Sequence, residues 1–192
     1  MSEQSTPTRI IEAAVSWIAE TGLRKISVDE IASKASVSRA TVYLHFPGRS
    51  AIIEAAVRHE VGRILARASA DAERYDDRDA RLVEVFAASV VDLAHHPALA
   101  AVLRHNPKIL LPFVFGPDPL GIRMAREHVA TLFDGGPGAH ELAEMIVRTF
   151  HSFLLAPSSV FDLSTLDGAR HYARVVLLPL RDSLAAAAAD ST

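Results

Sequence analysis

The chain contains no cysteine, one tryptophan and three tyrosines among its 192 residues. Without thiols there is neither a disulfide nor a thiolate metal site. The shortage of aromatic residues beside abundant alanine and leucine favours helices over sheet. No apolar run approaches the roughly 18 residues of a membrane span, and Met1 to Thr8 is polar, without a secretory signal. The expectation is a cytoplasmic chain with no membrane partner. Excess positive charge is also missing: the net charge is −3, which by itself argues against a nucleic-acid partner. Its distribution matters more than its sum. Residues 1–49 carry +1 and the remainder −4, so a small contact surface on an acidic body stays open.

Catalytic signatures are equally scarce. The nine histidines do not form ligand pairs at helical spacing: His95 and His96 point apart, while His140, His151 and His171 lack an i+3 or i+4 companion. Glu141 and Glu144 share a face, as solvated helix sides often do, and no nucleophile motif or phosphate loop is present. The chain reads as a non-enzyme with no cofactor, no metal and no catalytic residues.

What is present is helical periodicity. Thr6 looks like an N-cap with Pro7 behind it at the first helical position. Ile10, Ile11, Ala14, Val15, Trp17 and Ile18 then recur at three- and four-residue spacing, and Gly22 stops the helix. Ser27-Val28-Asp29-Glu30 is a capping box opening a second helix over 28–35. A third short helix covers 39–45, Pro47-Gly48 ends it, and a long helix runs from about 49 to 75. Residues 76–81 form a charged break. Further helices are expected over 81–95, 97–105, 120–133, 139–156 and 166–189, with Pro179 kinking the last. The fold class is all-α with about nine helices: an N-terminal three-helix helix-turn-helix domain over 1–48, joined through a long helix to a helical body over 49–192.

The stretch from Ser27 to Phe46 carries the informative chemistry. Two short helices are joined by Ser36-Val37-Ser38, with Ile31, Ala32, Val37 and Val42 placed to pack them. The second is a poor core element but long enough to enter a major groove, and its outward side chains Arg39, Thr41, Tyr43 and His45 are rich in donors. On composition alone an ordinary αα-hairpin fits as well. Ser27-Val28-Asp29-Glu30-Ile31-Ala32 followed by Val37-Ser38-Arg39-Ala40-Thr41-Val42-Tyr43-Leu44-His45-Phe46 resembles the signature of the tetracycline-repressor (TetR) family, and the match extends back over Arg9 to Gly22 and forward to Arg49. It covers about the first quarter of the chain.

The resemblance implies roles for individual residues. Arg39 would reach base edges, where a guanidinium binds guanine O6 and N7 together. Thr41 would meet a phosphate or a thymine methyl, Tyr43 and His45 the sugar-phosphate backbone, and Arg49 a phosphate at the start of the fourth helix. Ser27 and Ser38 join this DNA-binding set, Ser27 capping its helix first. Three positions depart from the family pattern. Ser36 and Ala40 replace common glycines, Ser36 at a left-handed cost of about 1 kcal/mol, and Gly48 replaces the usual Ser or Asn cap.

The implied function is a transcriptional regulator, a repressor on double-stranded operator DNA. It would act as a homodimer through 139–156 and 166–189, with Ala143, Ile146, Val147, Phe150, Leu154, Tyr172, Val175, Val176 and Leu180 as its apolar stripes. A small hydrophobic or amphipathic effector would sit between the helices of 82–156. Its candidate ligand-binding residues are Phe86, Arg104, Phe113, Phe115, His128, Phe150 and His151. A helical protein–protein adaptor is the competing class, but an adaptor has no need of Arg39, Tyr43, His45 and Arg49 together.

Overall fold

The computed structural model describes residues 5–21, 27–105, 108, 119–132, 136, 138–156, 158 and 160–190. Among them there is no strand. The helices are α1 (Thr6–Thr21), α2 (Val28–Lys34), α3 (Arg39–His45), α4 (Arg49–Ala72), α5 (Arg78–Ala94), α6 (Pro97–His105), α7 (Leu120–Leu132) and α8 (Ala139–Leu155). A last helix follows as α9 (Leu166–Tyr172), a π turn (Ala173–Leu177) and α10 (Leu178–Ala189). Counting that interrupted helix once, nine helices are described, as the all-α reading expects. None is long and apolar enough alone to cross a membrane. The chain divides into two compact units, residues 1–62 with 96–111, and residues 63–95 with 112–192.

In the first unit α1 packs against α2 and α6, and α2 against α3. Ile10, Ala14, Ile31, Val42 and Ile52 are fully buried. The cap of α1 lies one residue earlier than expected: Ser5 Oγ accepts the Thr8 N–H at 3.4 Å and the Ser5 carbonyl accepts the Arg9 N–H. Gly22, the expected stop, lies outside the described residues. The turn after α2 is a Schellman motif, in which Val37 N–H reaches the Ala32 carbonyl and Ser36 N–H the Ser33 carbonyl. Such a motif needs one left-handed residue, and Ser36 supplies it at φ 54°. Arg9 on α1 donates one guanidinium nitrogen to the carbonyls of both Ala35 and Ser36. At the start of α6, His96 Nε2 lies 2.8 Å from Glu60 and its Nδ1 accepts the Leu99 N–H at 3.4 Å.

The second unit is built on a core of Leu82, Phe86, Val90, Ile122, Leu142, Ala143, Ile146, Val147 and Leu177. Helix α5 begins three residues before the expected point, because Asp77 Oδ1 accepts the Ala80 N–H at 2.7 Å and turns part of the charged run into a cap. At Pro179, where the sequence predicts a kink, the helix carries its π turn: Leu178 N–H bonds back to the Ala173 carbonyl, five residues away. Proline has no N–H and crowds the carbonyl four residues before it, so the ladder shifts by one. Ala143, Ile146 and Val147, expected to face a second subunit, are buried in this core. The large apolar side chains left exposed on α8, α9 and the π turn are Met145, Leu155, Leu166 and Val175.

Two substitutions test the turn after α2. Ser36→Gly removes the left-handed penalty and is expected to stabilise by about 1 kcal/mol. Arg9→Ala leaves two turn carbonyls without their charged donor and is expected to cost about 1–3 kcal/mol. Urea unfolding of both variants at neutral pH measures these signs; destabilisation by Ser36→Gly would contradict the strained turn.

Candidate nucleic-acid interface

Helix α3 is only seven residues long, so its placement rests on its ends and on one anchor. Ser38 is the cap: its Oγ accepts the Thr41 N–H at 3.0 Å and lies 2.8 Å from Thr41 Oγ1. Val42 is the anchor, fully buried beneath the helix. Phe46 turns to extended backbone, its N–H closing on the Val42 carbonyl. Two residues later the Gly48 carbonyl accepts the Ile52 N–H at 3.2 Å, which starts α4 with Arg49 in its first turn. A side chain built at Gly48 would meet nothing within 4 Å, so glycine at that cap is a choice of sequence and not of space.

With Val42 inward, Arg39, Tyr43, Leu44 and His45 face out, and Arg49 is exposed on the next helix. Arg39 is the most organised of these. Its Nη1 donates to both carboxylate oxygens of Asp29 on α2, at 3.1 and 3.2 Å, and its Nη2 reaches Tyr43 Oη at 3.4 Å. The guanidinium also lies over the Tyr43 ring, 5.5 Å from its centroid. The Tyr43 hydroxyl first, and the Asp29 charge next, raise the Arg39 pKa above its ordinary value. Ser27 caps α2 with its Oγ 3.5 Å from the Glu30 N–H. Ser27, Ser38, Arg39, Thr41, Tyr43 and His45 thus all lie on α2, α3 or their caps, and Arg49 on the helix that follows.

Sequence reasoning passed over two neighbours. Leu44 is 80% exposed, a large aliphatic group on the outer face of α3. Its signal was available, since a helix anchored at Val42 must turn position 44 outward. Asp29 was read only as part of a capping box, and its contact with Arg39 spans two helices.

The candidate ligand-binding residues fall in different places. Phe86 is buried in the second unit and stacks on Phe150, with ring centroids 5.3 Å apart. Tyr172 joins them at 5.7 Å from Phe86, and Phe153 and Phe161 meet its edges. His128 Nε2 lies 3.0 Å from the Leu65 carbonyl and 2.8 Å from Ser69 Oγ, tying α7 to the end of α4. His151 Nδ1 donates to the Val147 carbonyl at 2.7 Å. Arg104 is exposed on α6, in the first unit. Phe113 and Phe115 lie outside the described residues. A cavity of about 40 Å³ in the second unit is lined by Leu65, Ala68, Phe86, Val129, Ile146 and Phe150 among others. Among the described residues no three His, Asp or Glu side chains gather as metal ligands.

Two capped short helices around a left-handed turn, the second anchored by one buried valine and largely exposed elsewhere, are a helix-turn-helix. Residues 10–56 match the family model of bacterial regulatory proteins, tetR family. An uncharacterised HTH-type transcriptional regulator of Mycobacterium bovis is 32% identical over 82 residues, which are 43% of this chain and 42% of that protein. The chain thus matches less than half the length of that relative. The crystal structure of the TetR family repressor AlkX from a Dietzia strain has the same fold at 18% identity, with a TM-score of 0.73 over 96% of this chain and 100% of that one. FadR from Bacillus subtilis, in complex with stearoyl-CoA, superposes at 21% identity with a TM-score of 0.55, over 86% and 96% of the two chains.

His151 gives a pH dependence. Burial lowers its pKa below 6.5, the carbonyl of Val147 acts in the opposite sense, and the nearby Arg148 lowers it further. A histidine whose folded pKa is depressed adds stability above its unfolded pKa, and loses it as pH falls from there toward the folded value. The stability difference between the native chain and His151→Gln is expected to shrink as pH drops from about 7.5 to 5.5, around the free histidine pKa. Paired urea titrations at the two pH values measure it, and a constant difference would rule it out.

Proposed function

We propose that this chain is a DNA-binding transcriptional regulator, a repressor that a small, largely apolar effector releases from a palindromic operator. The observation that carries the reading is the outer edge of α3, where Arg39, Tyr43, Leu44 and His45 are exposed together, with Arg49 opening α4. Residues 1–48 bind double-stranded DNA and residues 49–192 bind effector and partner copy, in the cytoplasm where operator DNA is. Arg39 reads a base edge; Arg49, Tyr43 and His45 hold the backbone, aided by Ser27, Ser38 and Thr41. A palindrome requires two copies of the chain. Support for a homodimer comes from Met145, Leu155, Leu166 and Val175, exposed apolar side chains within 139–156 and 166–189.

Arg39→Ala is expected to cost about 1–3 kcal/mol on the preferred duplex and to relax specificity at one base pair. Arg49→Ala is expected to weaken all duplexes alike and to lower the salt slope by about one unit. Duplexes enriched by the protein from a randomised pool provide the targets, and sedimentation of the complex counts the chains on each. Recovery of no duplex at all would overturn the reading.

The effector reading rests on the aromatic wall of Phe86 and Phe150 and on the cavity beside it. At about 40 Å³ that cavity is well below the roughly 300 Å³ at which small-molecule sites begin, so an effector must widen it. Ligand and DNA then weaken each other through differential affinity for two shapes of the body. A transcriptional regulator of similar fold holding stearoyl-CoA, and a TetR family repressor implicated in n-alkane biodegradation, support long aliphatic chains as the ligand class. Fatty acids and acyl-CoAs of graded chain length are expected to release the selected duplex in a gel shift. Ala68→Val, which narrows the cavity, is expected to blunt release without loss of DNA affinity. Release of the variant and the native protein at the same ligand concentration would place the effector elsewhere.

A further inference from the structure

Within the helix-turn-helix, Asp29 is the one carboxylate seen to bond a side chain of the recognition helix. An acid at a DNA-binding face repels phosphates, so its presence there calls for a reason. Stability does not provide one. Both partners are more than half exposed, at 59% for Arg39 and 65% for Asp29, and surface pairs of this kind add little to a fold. What the pair does is choose one geometry for a side chain that otherwise has many. Asp29 holds Nη1 from α2, while Tyr43 supports the guanidinium through its hydroxyl and its ring from the next turn of α3. Nη1 is held by the two Asp29 oxygens and Nη2 gives Tyr43 one of its two hydrogens. Nε–H has no contact among these, and with a hydrogen of Nη2 it is a pair of donors that a guanine edge can accept.

We propose that Asp29 is a specificity-determining residue: it fixes Arg39 in a base-reading pose and withholds its charge from phosphates. The inference rests on the DNA-binding reading above and adds to it a residue that does not touch DNA. On DNA without the right base, Arg39 stays paired to Asp29 and contributes almost nothing to non-specific attraction. On the right base it binds through its remaining donors without surrendering Asp29. Specificity is a difference of affinities, and here the carboxylate lowers the wrong one.

Asp29→Asn keeps the shape and removes the charge. It is expected to tighten binding to poly(dI-dC) and to steepen that salt slope by about one unit, as Arg39 gains a phosphate. The ratio of affinities for the selected duplex over poly(dI-dC) is expected to fall by about fivefold or more, the lower end of what one bidentate base contact discriminates. Glu30→Gln is the control, since it removes the same charge from the same helical turn without touching Arg39. An unchanged ratio in Asp29→Asn would overturn the proposal, and so would an equal fall in Glu30→Gln, which would assign the effect to general charge. If the native protein enriches no duplex, it is the DNA-binding reading that fails, and the inference goes with it.

Discussion

The bond from Arg9 to the carbonyls of Ala35 and Ser36 sets the geometry on which the N-terminal unit depends. Those carbonyls lie where α2 ends, at the negative end of a short helix dipole, and a guanidinium from α1 is the natural group to meet them. Once the turn is held, the Schellman bonds fix the direction in which the chain leaves α2, and Ser38 starts α3 at once. A helix of seven residues cannot hold its own position. It is positioned by its turn, by Ser38 and by Val42, and the residues facing outward are those that packing leaves over. The outward face of α3 is in this sense a by-product of the way the turn is tied to α1.

Much of this was legible because helix starts and stops are written in local chemistry. Ser27, Pro47-Gly48 and the spacing of Ile31, Ala32 and Val42 mark three elements between Ser27 and the start of α4, and the structure has them at those places. The left-handed Ser36 was legible too, since the family pattern has glycine there. The rest depends on contacts far apart in sequence. Nothing near Arg9 announces that it caps a turn 26 residues away. A charged run such as 76–81 reads as a break until Asp77 is seen to cap α5. The packing of α6 on α1 across most of a hundred residues has no local signature.

The body illustrates a second limit. An apolar stripe on α8 says that the helix is covered, not by what, and Ala143, Ile146 and Val147 turned out to be covered by their own chain. The polar residues expected near a ligand show the same ambiguity. His128 is engaged by Leu65 and Ser69, and His151 by the carbonyl of Val147. A histidine on an apolar helix needs a partner, and the sequence does not say whether that partner is backbone or guest. The aromatic rings were easier, because large apolar groups on inward helix faces pack somewhere in the core, Phe86 fully and Phe150 in part.

The π turn before Pro179 is what one extra residue does to an α-helix. Upstream and downstream segments fall out of phase by one residue step, about 100°. Across it the fully buried positions Ala169, Ala173 and Leu177 are spaced by four each time. Leu180 and Leu184 follow at spacings of three and four and pack against the core from α10. The C-terminal helix is therefore unequal in its tolerance of length changes. A residue lost within 173–177 would close the π turn to regular α-helix and leave these leucines facing the core, while one lost between Leu180 and Leu184 would rotate Leu184 away by about 100°.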